Sequence, residues 1–323
     1  MGMIEVHQYR SLADGPRLLV LGAVHGNETC GAVAIGAVAA EYASGARKLA
    51  RGVLTLVPIA NPVAFARGTR EGDRNLNRDL RPCADPQNAE DRIANHLAPL
   101  MAGHDALVDL HSFASAGTPF VFFGPQDNQD DLEPFRRATE EAALAQAVGP
   151  SRLVYGWLPA YAKGAVRRAG GSIAYGIGTT EYMRSQGGYA VTVECGQHAD
   201  PDAPHVARQA IENAIALLEL DQPEPRSGED SRVTVSRDAA AVRSRSADFE
   251  SIEMCDVVDR QSPEDRFAAQ WRSFDRVIAG QAIAYRADGS LLLAPEDGYV
   301  VFPSPNAVPG REWYYFARPG QRP

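Results

Sequence analysis

His25 and Glu28 are the first residues in the sequence whose types and spacing could do chemistry. They follow an apolar run that ends at Gly22. Zinc accepts both imidazole and carboxylate ligands, and a catalytic zinc ion has three protein ligands and one open position. Residues three apart lie near each other when the backbone makes one turn, so both side chains could face one point. The alternative is that Glu28 stabilises the start of a helix by its charge and His25 is an ordinary loop residue.

Two further candidates end apolar segments later in the chain. His111 closes the segment LVDLHS, and Asp109, two residues earlier on the same face of a strand, could accept a hydrogen bond from its imidazole. Glu194 closes YAVTVE, where an acidic residue is costly unless it has a partner or a task. In a metal hydrolase that task would be general acid–base catalysis. The alternatives are a structural histidine at a strand end and a carboxylate that faces solvent.

The segment TREGDRNLNRDL supplies the polar groups that a hydrolase needs for substrate. It contains Arg70, Asn77 and Arg78, and an arginine can polarise a carbonyl group or bind a carboxylate through two hydrogen bonds. Arg184 follows in EYMRSQGG, which we interpret as a glycine-flanked loop before the Glu194 strand. The alternative for each is an exposed charged residue in a solvated loop.

Strands and helices alternate through the first two-thirds of the chain, which predicts how these residues are positioned. Apolar, strand-like segments occur at 17–24, 53–61, 106–112, 120–124 and 189–196, and helix-like segments occur at 28–43, 86–102, 132–148 and 204–220. This pattern predicts an α/β fold with a central mixed sheet flanked by helices. Ligands bind such sheets at the carboxyl ends of strands, which is where His25, His111 and Glu194 lie.

The last third of the sequence has a different pattern. Residues 221–231, DQPEPRSGEDS, are rich in proline, glycine, serine and charge, as in a linker. Short strand-like segments follow, with an Asp-Gly hairpin signal in RADGS. We therefore predict a catalytic domain at 1–222, a linker at 223–232 and a smaller C-terminal β-rich domain at 233–323.

Composition limits the class of protein and its partners. The net charge of −9 argues against nucleic-acid or anionic-membrane partners, and no apolar run approaches the ~20 residues that span a bilayer. The N-terminal residues lack the basic and apolar regions of a signal peptide. No GxGxxG, Walker or GxSxG pattern is present. We expect a cytoplasmic protein with free thiols, because its four cysteines are scattered along the chain without CxxC spacing: Cys30, Cys83, Cys195 and Cys255.

Four short motifs in the sequence occur in the same order as in a known protein family. The order HGNE (25–28), NLNR (75–78), DLHS (109–112) and VEC (193–195) resembles the aspartoacylase and succinylglutamate desuccinylase family, a branch of the zinc carboxypeptidase superfamily. The resemblance covers most of residues 15–220 and continues more weakly through the C-terminal β-rich part. It implies a zinc carboxypeptidase-like fold.

The resemblance also implies a metal site and the groups that do the chemistry. His25, Glu28 and His111 match the zinc ligands, which implies one zinc ion per chain. Glu194 matches the catalytic glutamate. Arg70 matches the arginine that polarises the scissile carbonyl group and stabilises the oxyanion.

Four other residues match positions that contact substrate in the family. Asn77 and Arg78 match the pair that holds the α-carboxylate, and Arg184 matches an arginine that binds the substrate's acidic group. Tyr314 matches more loosely a tyrosine that the C-terminal domain places over the site. The chain departs from the family at Asn75, where an aspartate is usual, so one carboxylate near the site is missing.

These matches predict a zinc-dependent amide hydrolase that removes the acyl group from an N-acyl amino acid, a small-molecule substrate. The products would be a carboxylic acid and a free amino acid. A metallo-carboxypeptidase that acts on short peptides and a non-catalytic small-molecule binding relative are the alternatives. A homo-oligomer is compatible with all three.

Overall fold

The computed structural model describes residues 3–131, 133–168, 171–221 and 249–322. Within these ranges the α-helices are α1 (Cys30–Ala43), α2 (Pro62–Arg67), α3 (Ala89–Ala102), α4 (Ala138–Ala147), α5 (Trp157–Arg167), α6 (Thr179–Ser185) and α7 (Ala203–Leu217), and Ile173–Gly176 forms a 3₁₀ helix. Among the described residues, no helix has both the length and the apolar character needed to cross a membrane.

The strands of the first two-thirds of the chain are β1 (His7–Arg10), β2 (Arg17–Gly22), β3 (Val53–Val57), β4 (Ala106–Phe113), β5 (Phe120–Phe122), β6 (Arg152–Tyr155) and β7 (Tyr189–Gln197). The later strands are β8 (Glu250–Asp259), β9 (Arg266–Phe267), β10 (Asp275–Val277), β11 (Ala282–Tyr285), β12 (Leu291–Leu293), β13 (Gly298–Val301) and β14 (Glu312–Pro319). Eleven of them form one sheet in the order β1-β3-β2-β4-β7-β5-β6-β8-β14-β13-β10, and β12-β11-β9 form a second sheet.

The centre of the large sheet is parallel and buried on both faces. Strands β3, β2, β4 and β7 run parallel to one another. Leu18 and Val20 pack in a cluster with residues of α1, α4 and α7, whereas Leu19 and Leu21 pack in a cluster with residues of α3 and α6. Because successive strand residues face opposite sides, a strand covered by helices on both sides has to be apolar throughout. This burial explains the uninterrupted apolar run before His25.

The C-terminal strands extend the large sheet. Strand β8 pairs in parallel with β6, and β14, β13 and β10 follow in antiparallel order. The predicted fold class is confirmed, because this chain is a mixed α/β protein with a large central sheet and an antiparallel β-rich C-terminal part. The predicted linker at 223–232 lies outside the described residues, and the predicted domain bounds stay a prediction.

Some local elements differ from those that the sequence indicates. Arg184 lies in helix α6 and not in a loop, so that prediction was wrong. The helix begins after Gly178, whose N–H donates a hydrogen bond to the side chain of Glu181 at 2.9 Å. A capping interaction of this kind stabilises a short helix that an apolar pattern does not reveal. All four cysteines carry free thiols, as their scatter along the chain predicts.

Gly26 provides a test of how closely the turn after β2 packs. The Cβ atom of an alanine there would overlap the backbone of Ala64 in α2. We expect Gly26→Ala to lower the free energy of unfolding by about 1–3 kcal/mol, because overpacking forces the backbone to move. Urea denaturation followed by circular dichroism measures this change.

Gly36→Ala is the matched control, because a Cβ atom at Gly36 in α1 has no neighbour within 4 Å. It should raise the free energy of unfolding by roughly 0.5–1 kcal/mol, since alanine favours a helix over glycine. Equal stability of the two variants would contradict the close packing of the turn.

Candidate active site

Three buried side chains converge at the carboxyl ends of β2 and β4. His25 Nδ1 lies 2.9 Å from Glu28 Oε1, and His111 Nδ1 lies 2.8 Å from Glu28 Oε2. One candidate ligand atom from each residue lies within 4.8 Å of those of the other two. The Glu28 N–H donates to the His25 carbonyl oxygen at 3.1 Å, which closes the turn that brings these two residues together. The three residues could therefore hold one metal ion.

The chemistry of this cluster fits zinc. Two imidazoles and a carboxylate form one of the ligand sets of catalytic zinc sites. His25 Nδ1 is buried and makes no hydrogen bond of good geometry to any described residue, although it lies 2.9 Å from Glu28 Oε1. Burial, helped by the charge of Arg70, lowers the pKa of His25 to about 4 and keeps the imidazole neutral. A neutral imidazole is the form that binds a metal.

The other ring nitrogens are held by neighbouring oxygens. His111 Nε2 lies 2.9 Å from Asp109 Oδ2, so the predicted contact between these residues is present. His25 Nε2 lies 3.1 Å from Asn75 Oδ1. Burial alone would lower the pKa of His111, but the carboxylates of Asp109 and Glu28 raise it well above its usual range. Such partners fix the orientation of the imidazoles.

Glu194 faces the same cavity from the end of β7. It is the register partner of His111 across the β4–β7 pair, which places the two residues side by side. Glu194 is buried, and its Oε2 atom has no hydrogen-bond partner within the part of the chain that the structure describes. Burial raises the pKa of Glu194 to about 8. A carboxyl group with a pKa near neutrality is suited to accept and return a proton.

Arg70 reaches the cluster from the loop after α2. Its Nη1 donates to Glu28 Oε1 at 2.8 Å, and its side chain is about half exposed. The Arg70 carbonyl oxygen accepts a hydrogen bond from the Gly26 N–H at 3.3 Å, which ties this loop to the turn of His25 and Glu28. Arg70 thus contacts Glu28 of the candidate metal-binding cluster (His25, Glu28 and His111) and also lines the cavity.

A buried carboxylate that sequence reasoning missed holds the same loop. Glu90, in the first turn of α3, accepts from Asn61 Nδ2 at 3.0 Å and from the Gly72 N–H at 2.9 Å through Oε1. Its Oε2 accepts from the N–H groups of Asp73 and Arg74 at 3.1 and 3.2 Å. In the sequence Glu90 resembles any acidic residue at a helix N-terminus, so the sequence gives no indication that its side chain is buried.

Asn77 and Arg78 line the cavity and are held in different ways. Asn77 Oδ1 accepts from the Thr179 N–H at 2.8 Å, which leaves the Asn77 amide hydrogens as donors to a ligand. The Arg78 guanidinium carbon lies 4.9 Å from the ring centre of Trp157 and 5.3 Å from that of Tyr161. Cation–π contacts hold this guanidinium in place, and its Nη1 donates to the Asn77 carbonyl oxygen at 2.7 Å, so its other N–H groups could serve a ligand. Neither aromatic residue was singled out from the sequence.

Arg184 lies on the cavity wall but is already paired with carboxylates. Its Nε atom lies 2.9 Å from Glu141 Oε2, and its Nη1 atom pairs with Glu133 and lies 3.6 Å from Glu181 Oε1. The side chain is buried. An acidic group of a substrate would compete with these three carboxylates for the guanidinium. The role inferred for Arg184 stays a prediction.

Tyr315, and not Tyr314, lines the cavity. Tyr314 is buried on the other side of β14, with its ring centre 5.9 Å from those of Trp313 and Phe267. Adjacent strand residues face opposite sides, so one member of the pair can face the cavity. The role inferred for Tyr314 stays a prediction, without support from this placement.

The cavity has a volume of about 990 Å³ and joins both parts of the fold. The α/β part contributes His25, Glu28, His111 and Glu194 to the lining, and the C-terminal part contributes Phe302 and Tyr315. A cavity of this volume suits a small-molecule ligand. Eight of the nine predicted site residues therefore line one cavity: His25, Glu28, Arg70, Asn77, Arg78, His111, Arg184 and Glu194.

Comparisons with known proteins identify the family. A family model described as the succinylglutamate desuccinylase/aspartoacylase catalytic domain matches residues 14–218. The chain therefore belongs to the succinylglutamate desuccinylase/aspartoacylase family of hydrolases, and the resemblance found in the sequence is confirmed. A comparison with curated proteins gave no match.

Solved structures share the fold at low sequence identity. A succinylglutamate desuccinylase/aspartoacylase from Rhodobacter sphaeroides is 17% identical with a TM-score of 0.70, over 98% of this chain and 90% of that chain. A succinylglutamate desuccinylase from Silicibacter sp. is 20% identical with a TM-score of 0.69, over 99% and 89%. The product-bound ectoine utilization protein EutE from Ruegeria pomeroyi is 19% identical with a TM-score of 0.67, over 97% and 88%.

The buried contacts of Glu90 can be tested by their contribution to stability. We expect Glu90→Ala to lower the free energy of unfolding by at least about 2 kcal/mol, because buried N–H donors lose their acceptor. Urea denaturation measures the effect. Glu140→Ala is the control, since Glu140 is exposed and pairs only with Arg137; it should change stability by less than about 0.5 kcal/mol. Similar values for the two variants would show that Glu90 does not hold the loop.

Proposed function

We propose that this protein is a zinc-dependent amide hydrolase that removes the acyl group from an N-acyl amino acid and releases a carboxylic acid and a free amino acid. The observation that carries the proposal is the convergence of His25, Glu28 and His111 beside the unpartnered carboxylate oxygen of Glu194. Family membership supports the hydrolase class.

His25, Glu28 and His111 would hold one zinc ion. When bound, zinc would act as a Lewis acid on the amide carbonyl group and lower the pKa of water. Asp109 and Asn75 keep the two imidazoles oriented toward Glu28. The protein thus supplies a rigid ligand set before the metal binds.

Glu194 would act as the general base and then as the general acid. Glu194 lines the same cavity as His25, Glu28 and His111, and its Oε2 has no hydrogen-bond partner among the described residues, so this oxygen would be free to accept a proton from the attacking water. The same carboxyl group then delivers the proton to the departing amine nitrogen. Burial, which raises the pKa of Glu194, makes this carboxylate a stronger base than an exposed one.

Arg70, Asn77 and Arg78 would bind and polarise the substrate. Arg70 donates to Glu28 and would stabilise the negative charge that develops on the carbonyl oxygen. The Asn77 amide and the Arg78 guanidinium would hold the α-carboxylate of the amino-acid part. Arg184 would bind an acidic acyl group only if that group replaced Glu133 or Glu181 as an ion-pair partner of the guanidinium.

A carboxypeptidase that acts on short peptides is the second candidate. The cavity volume of about 990 Å³ is larger than a small acyl amino acid requires, and a peptide also presents an α-carboxylate to Asn77 and Arg78. The two functions differ in their products. Release of C-terminal residues from di- and tripeptides, with no deacylation, would select the peptidase.

Metal content provides the first test. We expect the purified protein to contain about one zinc ion per chain by inductively coupled plasma mass spectrometry. His111→Ala should lose most of this zinc, because one of the three ligands is removed. His205→Ala, at an exposed position in α7, should retain it. A wild-type protein that stays free of metal after growth with added zinc would rule out the proposed function.

Glu194→Gln tests the proton-transfer step. We expect kcat to fall about 10²–10⁴-fold, since the amide cannot accept the proton, while zinc content stays unchanged. The assay measures free amino acid released from a panel of N-acetyl and N-succinyl amino acids. Glu212→Gln, on the outer part of α7 beside Arg208, should keep wild-type activity. Wild-type kcat in Glu194→Gln would remove Glu194 from the mechanism.

A further inference from the structure

A run of hydrogen bonds begins at His25 and leads away from the metal-binding cluster. His25 Nε2 lies 3.1 Å from Asn75 Oδ1, and the same oxygen accepts from the Asn77 N–H at 2.9 Å. One amide oxygen therefore contacts both a candidate metal ligand and the backbone of a candidate substrate-binding residue.

The run continues to the second imidazole. Asn77 Oδ1 accepts from the Thr179 N–H at 2.8 Å, and the Thr179 hydroxyl donates to Asp109 Oδ2. Asp109 Oδ2 in turn lies 2.9 Å from His111 Nε2. Asn75, Asn77, Thr179 and Asp109, here called the connecting arc, thus join the outer nitrogens of the two imidazoles.

The arc fixes the proton position on His25. A backbone N–H can only donate, so the Asn77 N–H requires Asn75 to present its oxygen at this point. That oxygen accepts, and His25 Nε2 must therefore carry the hydrogen. In neutral imidazole this leaves Nδ1 with the lone pair, and Nδ1 is the atom that faces Glu28.

Resting on the proposed function, we propose that Asn75 is a positioning residue that sets the tautomer of His25 for zinc and couples the metal site to Asn77. The neutral amide orients His25 without adding a charge, whereas Asp109 places a carboxylate behind His111. Because His25 and Asn77 share one acceptor atom, loss of that atom affects zinc binding and substrate binding together.

Zinc affinity, measured by chelator competition without substrate, tests this role. We expect Asn75→Ala to raise the zinc dissociation constant about 10–100-fold, the range typical for loss of a group that orients a ligand. Asn75→Asp keeps an acceptor at the same place and should bind zinc at least as tightly as the wild type. Asn75→Ala should also raise KM for an N-acyl amino acid, and Asn75→Asp should restore it.

Two further variants separate this role from a general loss of stability. Asn95→Ala removes an amide whose hydrogen bonds to the described residues all go to the Cys83 backbone, so it should leave the zinc dissociation constant unchanged. Thr179→Val removes the hydroxyl that reaches Asp109 and should weaken zinc binding less than Asn75→Ala does. If Asn75→Ala does not fold, Asn75→Asp and Thr179→Val carry the test, and unchanged zinc affinity in Thr179→Val then overturns the arc.

The outcomes distinguish this inference from the proposed function. A wild-type protein that binds zinc, with an Asn75→Ala variant of unchanged affinity, overturns the role of Asn75 and leaves the proposed function intact. Asn75→Asp that binds zinc as weakly as Asn75→Ala also overturns it. A wild-type protein that binds no zinc overturns both.

Discussion

The buried carboxylate of Glu28 is the interaction on which the site depends. A charge in the interior is costly unless it is paired and hydrogen-bonded. Glu28 lies within 2.9 Å of both imidazoles, Arg70 donates to it, and the Ser112 N–H donates to Oε2 at 3.1 Å. Burial alone would raise the pKa of Glu28, but the two imidazoles hold it well below its usual range. A carboxylate between two imidazoles is also a set of side chains that could hold a divalent cation.

The sheet makes this arrangement possible because it fixes where its parallel strands end. Strands β2, β4 and β7 are neighbours in register, so the turn after β2, His111 on β4 and Glu194 on β7 meet at one edge. Helices cover both faces of these strands, and closely packed apolar side chains leave little freedom for the backbone. Catalysis requires groups held to within a fraction of an ångström, and a rigid sheet edge provides that precision.

Less regular parts of the fold complete the site through buried polar contacts. Glu90 holds the loop that carries Arg70, Asn77 and Arg78, and the connecting arc joins that loop to both imidazoles. The C-terminal strands add Tyr315 to the cavity wall. Arg184, by contrast, already forms ion pairs with carboxylates of the chain itself. Under the proposed function, the chemistry would depend on the sheet edge, and substrate choice would depend on the loops and strands around it.

The sequence by itself determined the α/β class and the candidate residues at strand ends. Apolar strands, amphipathic helices and the motifs around His25, His111 and Glu194 are local patterns, and local patterns can be read without a structure. Only the tertiary structure decided which of them meet. It buried Glu90 and placed Asn75 against His25, because those contacts join residues that are distant in sequence. It also turned Tyr315 rather than Tyr314 to the cavity and surrounded Arg184 with glutamates, since strand direction and charge pairing between segments depend on how the whole chain packs.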